Sequence, residues 1–321
     1  MANSQKYFLL TIDVEDWFQV ENFKSRIPFD SWPARQLRVE KNTHRLLDLF
    51  DSVNVGLCGS VADFSAGPQR KLQATFFVLG WIAERRPHLV REISSRGHEV
   101  ASHGYNHGLC TQLPAGQLKQ DLTASKKLLE DLTGAPVAGY RAPSFAINDE
   151  ILNIIKECGY HYDSSYNSFN LNPRYGAISL SGLEKRGIAY NLGNNFHELP
   201  VSNLEFDYPF SFQLSAMSSG QNDKKRFVLP WGGGGYFRLI PAPVFRSGVK
   251  AVLKKKGTYL FYMHPWELDP RQPKVTEASA FYKFRHYLNL KNTQAQLVRM
   301  ITAFRHCEFL TCKSYLEKIL F

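Results

Sequence analysis

The chain has 321 residues, 44% of them hydrophobic and 13% aromatic, and carries a formal net charge of +10. This length and apolar content support a sizeable core and exclude a disordered chain. The positive balance favours acidic partners, but the basic residues are scattered and form no stripe, so a nucleic-acid role is a poor fit.

A buried-strand run at residues 7–12 comes first. Apolar spacing at Leu46, Leu47, Leu49 and Phe50 predicts a helix over 39–51. A strand at 74–79, a helix at 81–96 stopped by Gly97, and a short strand at 99–101 come next. Pro114 starts a helix over 115–132, with Gly134 and Pro136 beyond its end. A strand at 137–140, a helix at 149–158 and a strand at 161–163 continue the alternation. This order implies parallel pairing, in a β/α barrel or a doubly wound sheet. The second half is less regular. Strands are predicted at 187–192, 196–199 and 258–263, helices at 241–256 and 293–306, and a last strand at 309–311 before a C-terminal helix. Residues 56–72 and 204–226 lack periodicity and read as long loops or insertions.

The five cysteines, Cys58, Cys110, Cys158, Cys307 and Cys312, are odd in number and contain no C-x-x-C pair. They read as buried free thiols in a reducing compartment rather than a disulfide framework or zinc knuckle. The apolar run at 7–12 is too short for a signal peptide or a membrane span, and no run of 18 apolar residues occurs. A soluble, cytoplasmic protein is expected, at most peripheral to a membrane.

Chemistry-bearing residues gather just past predicted strand ends, where β/α barrels carry their catalytic groups. Asp13, Glu15 and Asp16 come after the first strand. His103 and His107 in SHGYNH come after another, and histidines four apart can grip one metal ion. Ten histidines would give about 0.3 such pairs by composition alone, so the pair is weak evidence in isolation. Arg141 and Pro143 in GYRAPSF, Asp163 in YHYDSS and His264 in FYMHPWE add three more sites in order. Together they supply carboxylates, histidines and an arginine, the inventory of a one-metal hydrolase. Gly232 to Gly235 allow close backbone approach, either to a sugar ring or in a structural turn.

The ordered strings TIDVEDW, SHGYNH, YRAPSF, YDSSY and FYMHP resemble the NodB-homology polysaccharide deacetylases of carbohydrate esterase family four, over roughly residues 7–266. DVEDWF, YRAPSFAI, GGGGYFRLIP and MHPWELDP look like the subgroup found beside exosortase (PEP-CTERM) exopolysaccharide loci. The resemblance implies an α/β fold, a distorted (β/α) barrel of seven strands with irregular insertions in the second half. It implies one domain over 1–321, with a core at 7–266 and a C-terminal extension at 267–321 packed on the same barrel. It also implies one divalent metal ion, commonly zinc, held by His103, His107 and a carboxylate.

By the same resemblance, Asp13 matches the catalytic base, Arg141 the arginine holding that base, His264 the acid that protonates the leaving amine, and Asp163 the aspartate that orients His264. Pro143, Phe145 and Trp266 are the candidate substrate contacts. The common first motif has two adjacent aspartates, whereas Val14 stands beside Asp13 here. The carboxylate ligand is therefore Glu15 or Asp16: an aspartate–x–acid arrangement points to Glu15, and a bulged strand end to Asp16. The implied activity is metal-dependent removal of N-acetyl groups from an amino-sugar polysaccharide or its lipid-linked precursor in exopolysaccharide biosynthesis, with peripheral association to a membrane-bound synthesis complex. The alternatives are an allantoinase-like amide hydrolase and a non-catalytic saccharide-binding module.

Overall fold

The structure is a computed structural model that describes residues 5–56, 69–169, 171–207 and 226–320. Strand β1 (Tyr7–Val14) is buried from Phe8 onward, because packed side chains cover both of its faces. Helix α1 (Val39–Ser52) leads to a short antiparallel pair, β2 (Asn54–Gly56) with β3 (Gln69–Lys71). Then come β4 (Thr75–Val78), α2 (Gly80–Arg85), α3 (Pro87–Ser95) and β5 (Glu99–Ser102). Helix α4 (Ala115–Thr133), β6 (Gly139–Tyr140), α5 (Asp149–Glu157) and β7 (Tyr162–Asp163) complete the regular half.

Next, β8 (Lys185–Arg186), β9 (Ala189–Asn191) and β10 (His197–Glu198) form a meander, and β11 (Asn203–Asp207) pairs antiparallel with β12 (Arg226–Pro230). Helices α6 (Gly234–Leu239) and α7 (Ala242–Lys256) precede β13 (Thr258–Met263). The C-terminal segment holds α8 (Ala280–Tyr287), α9 (Leu290–Ala303), β14 (Glu308–Leu310) and α10 (Cys312–Leu320).

Strands β13, β1, β4, β5, β6, β7 and β10 lie side by side, each neighbouring pair parallel. Strands β9 and β8 extend the row antiparallel, and β14 pairs with the start of β1. This is the expected α/β fold, a curled and mostly parallel sheet. The side between β10 and β13 is joined by irregular backbone: the Ser202 amide donates to the Leu260 carbonyl at 3.3 Å, and Gly233 bridges to Tyr262.

Side chains alternate across β1. Phe8, Leu10, Ile12 and Val14 join the core beneath the helices, whereas Leu9 joins Phe77, Ala101, Tyr162 and Leu260 in a second cluster on the other face. Thr11 and Asp13 continue that second face.

The register makes the strand ends level. Val14 pairs Val78, Val78 pairs Ser102, Ser102 pairs Tyr140, Tyr140 pairs Asp163, and Asp163 pairs Glu198. The next residue along three of these strands is Glu15, His103 or Arg141. Met263, one residue before His264, pairs with Ile12.

Several expectations are corrected. The helix predicted over 81–96 is two helices, because Pro87 has no N–H to continue the first and starts the second, with Arg86 non-helical between them. The helix predicted at 293–306 runs Leu290–Ala303. Neither predicted loop is wholly irregular, since the β2–β3 and β11–β12 pairs flank them; residues 57–68 and 208–225, with Cys58, lie outside the described residues. The other four cysteines are buried, as expected.

Candidate active site

Beyond Val14 the chain turns tightly, the Glu15 amide donating to the Asp13 carbonyl at 2.9 Å. The turn brings the Glu15 carboxylate to the histidines. His103 Nε2 and His107 Nε2 each lie 2.9 Å from Glu15 Oε1, and all three residues are buried. Their ligand atoms lie within 4.8 Å of one another, the one such group of histidine, cysteine and acid side chains found among the described residues.

The donor chemistry fits a divalent cation. His103 Nδ1 is 2.7 Å from the Arg141 carbonyl, which can only accept, so Nδ1 carries the proton. In the neutral ring Nε2 is then a lone pair facing a carboxylate oxygen, and a cation between them resolves that opposition. One carboxylate oxygen and two imidazole nitrogens are donors of the kind that would hold a divalent ion such as zinc.

The loop bearing the histidines is held from α4: Asp121 Oδ1 accepts from the Tyr105 amide at 2.8 Å and Oδ2 from the Asn106 amide at 3.1 Å. Burial works against ionisation of Glu15, but the imidazoles of His107, His264 and His103 beside it hold its carboxyl well below the usual range.

Asp13 sits beside this group. Arg141, fully buried, donates from Nη1 to Asp13 Oδ1 and to Thr11 Oγ1, both at 2.7 Å, and from Nε to the Ser164 carbonyl at 2.9 Å. Its guanidinium carbon lies 4.1 Å from the Phe77 ring centroid. A charge-assisted bond between fully desolvated partners fixes the carboxylate's aim.

His264 faces the same group, with Nε2 3.8 Å from Glu15 Oε1. Its Nδ1 is 3.0 Å from Glu267 Oε1, which also accepts from the His264 amide. Glu267 is paired in turn with Arg238, at 2.7 Å. Arg238 donates to the carbonyls of Arg285, His286 and Leu288. Burial would raise the Glu267 carboxyl, yet Arg238 and His264 bring it down to about 2. Burial would lower His264, yet Glu15 and Glu267 push it up to about 9.

Comparison with known proteins finds two families, each matching part of the chain. The family described as polysaccharide deacetylase matches residues 66–162, and one described as a domain of unknown function (DUF3473) matches 221–317. The peptidoglycan-N-acetylglucosamine deacetylase of Bacillus cereus is 35% identical over 92 residues, 29% of this chain and 43% of that one. The peptidoglycan deacetylase of Helicobacter pylori is 33% identical over 104 residues, 32% of this chain and 36% of that one. Residues 66–162 therefore form a segment similar to the polysaccharide deacetylase family. The chain spans less than half the length of these curated relatives. A crystal structure of a candidate polysaccharide deacetylase from Mycobacterium smegmatis shares the fold, with a TM-score of 0.59 at 18% identity over 100% of this chain and 92% of that one.

Asp16 and Asp163 stand apart from their expected roles. Asp16 is not in the ligand group. Its carboxylate accepts from the amides of Trp17, Arg38 and Val39 and so caps the start of α1, while burial raises it to about 6 against those bonds. Asp163 does not orient His264. It accepts from the amide and hydroxyl of Ser165, both at 2.8 Å, and lies beside buried Glu198, whose carboxyl burial and the Asp163 charge raise well above normal. Glu267 occupies the position beside His264 instead. Its signal was present in MHPWE, as an acid three residues after the histidine on a turn started by Pro265.

Pro143 is buried at the start of a single-turn helix and does not line the site cavity, whereas its neighbours Ser144 and Phe145 do, both at positive φ. Trp266 lines the cavity and stacks between His264 and His286.

The glycine run proves to be packing. A Cβ on Gly234 would come 2.3 Å from Glu267 Oε1, and one on Gly233 2.7 Å from the Tyr262 ring. These glycines let the backbone lie against Tyr262 and the partner of His264, and only Gly235 borders the cavity. That cavity, about 430 Å³, opens over Asp13, Glu15, His103, His107 and His264.

Proposed function

We propose that this chain removes N-acetyl groups from an amino-sugar polysaccharide or its lipid-linked precursor by metal-dependent hydrolysis. The observation that carries this reading is the Glu15–His103–His107 group facing both Asp13 and His264 across one cavity. Glu15, His103 and His107 would hold the ion, most simply zinc. When bound, such an ion supplies Lewis acidity that polarises an amide carbonyl and acidifies water.

Asp13, aimed by Arg141, takes the proton from the attacking water. His264 delivers a proton from Nε2 to the departing amine nitrogen, while Glu267 accepts its Nδ1–H and keeps the ring turned that way. Phe145, Tyr262 and Trp266 give the cavity an aromatic wall for a sugar ring. A role in exopolysaccharide biosynthesis rests on the sequence resemblance, and a cytoplasmic location on the cysteine pattern.

Acetate release from N-acetylglucosamine oligomers, with and without zinc, tests the reading, together with elemental analysis of the purified protein. The expected result is zinc-dependent release and about one bound metal, both lost in His103→Ala. Metal-independent release, or full activity in that variant, overturns it.

A further inference from the structure

The outer wall of the cavity carries positive charge that the site chemistry does not use. The acids lining the cavity are Asp13, Glu15, Glu21 and Glu267. Asp13 is matched by Arg141, Glu15 by the three histidines, Glu21 by Lys24 at 3.6 Å, and Glu267 by Arg238. Two lining cations have no carboxylate partner among the described residues. Arg174 donates to the side-chain oxygen of Asn22 at 2.8 Å and lies 6.0 Å from the Tyr282 ring. Arg285 lies 5.9 Å from the Phe281 ring.

Both arginines border the same opening as His264, and Tyr175, Tyr236, Phe281 and Tyr282 surround them. Phe281 is 62% exposed, an apolar ring standing at the mouth. Arg285 is also tied to the catalytic side, since its backbone carbonyl accepts from Arg238, the partner of Glu267.

We propose that this wall selects an acidic saccharide: an N-acetylated sugar bearing a carboxylate, or a phosphate at its reducing end. The inference rests on the deacetylase reading above. Guanidinium groups bind both oxyanions through two parallel N–H donors, and aromatic rings hold the guanidinium planes ready. Rings of this kind also present flat faces to the apolar side of a sugar. A cleft lined by cations of one sign concentrates anionic ligands, and salt weakens that effect.

Three probes separate the possibilities: chitotetraose as the neutral case, an oligomer containing N-acetylmuramic acid as the carboxylate case, and N-acetylglucosamine linked through diphosphate as the phosphate case. Calorimetric titration reads binding, and acetate release reads turnover. The expected result is binding of one acidic probe about tenfold or more tighter than the neutral one. That preference should shrink in 0.5 M salt and fall towards one in the Arg174→Gln/Arg285→Gln double variant. Whichever acidic probe binds more tightly identifies the anion.

Equal binding of all three probes, or a preference unchanged in the double variant, overturns the inference even if acetate is released. Acid-selective binding that the double variant abolishes, without acetate release from any probe, keeps the wall and overturns the deacetylase reading instead.

Discussion

Arg141 touches the site twice. Its side chain aims Asp13, and its carbonyl fixes the proton on His103 Nδ1. A single residue at the end of β6 therefore sets both the direction of the base and the tautomer of a ligand. Glu267 has the matching position on the opposite side, with one oxygen on His264 and the other on Arg238. Its replacement by Gln removes the charge and leaves a nearly isosteric group. The expected outcome is a fall in kcat of about 10²-fold with KM close to wild type, since the residue acts through His264 and not on bound sugar. Steady-state kinetics with an N-acetylglucosamine oligomer checks this. A kcat near wild type would return the orienting role to another group.

The strands act through the loops at their C-terminal ends. These parallel strands end level, and the loops that follow them enter the same space. Loop geometry is then imposed by helices. Asp121 on α4 takes the amides of Tyr105 and Asn106, and a Cβ on Gly104, at φ +76°, would lie 2.9 Å from Asp121 Oδ1. The histidine loop is thus pinned by a carboxylate that never reaches the ligand group. Asp121→Ala should weaken zinc affinity by about 10- to 100-fold, measured by competition with a chelating dye, while the far-ultraviolet circular dichroism stays as in wild type. Unaltered zinc affinity would show that the loop holds its shape without α4.

At the scale of the whole molecule, the helix layer meets the sheet at His98, which lies between Phe50 of α1 and Phe76 of β4. Its Nδ1 accepts from the Ala74 amide at 3.3 Å. Burial is the largest influence on the ring and lowers its pKa to about 4. The folded chain therefore resists a proton that the unfolded chain accepts near pH 6.5, so stability falls as pH drops from 6.5 towards 4. Between pH 7 and 5 this one residue should cost about 1–2 kcal/mol. Urea unfolding at the two pH values should show that slope reduced in His98→Asn, which keeps an acceptor near the Ala74 amide. An identical slope in the variant would place the acid sensitivity elsewhere.

The sequence by itself determined the alternation of strands and helices, the buried first strand, and five residues that the structure brings together at the candidate site: Asp13, His103, His107, Arg141 and His264. Each of these lies at a strand end or in the loop that follows it, inside a distinctive string, so local order was enough to find it. Only the tertiary structure decided which acid joins the histidines, because the choice depends on the turn at Val14 and on Asp16 being taken by amides more than 20 residues away. It also moved the partnership of His264 from Asp163 to Glu267, since both acids were near strand ends and only packing against Arg238 and α8 distinguishes them. Arg174 and Arg285 are more than 100 residues apart in sequence and look like any surface arginines there. Side-chain pairing is a property of three-dimensional neighbours, and a linear chain records those neighbours only where they happen to be close in sequence.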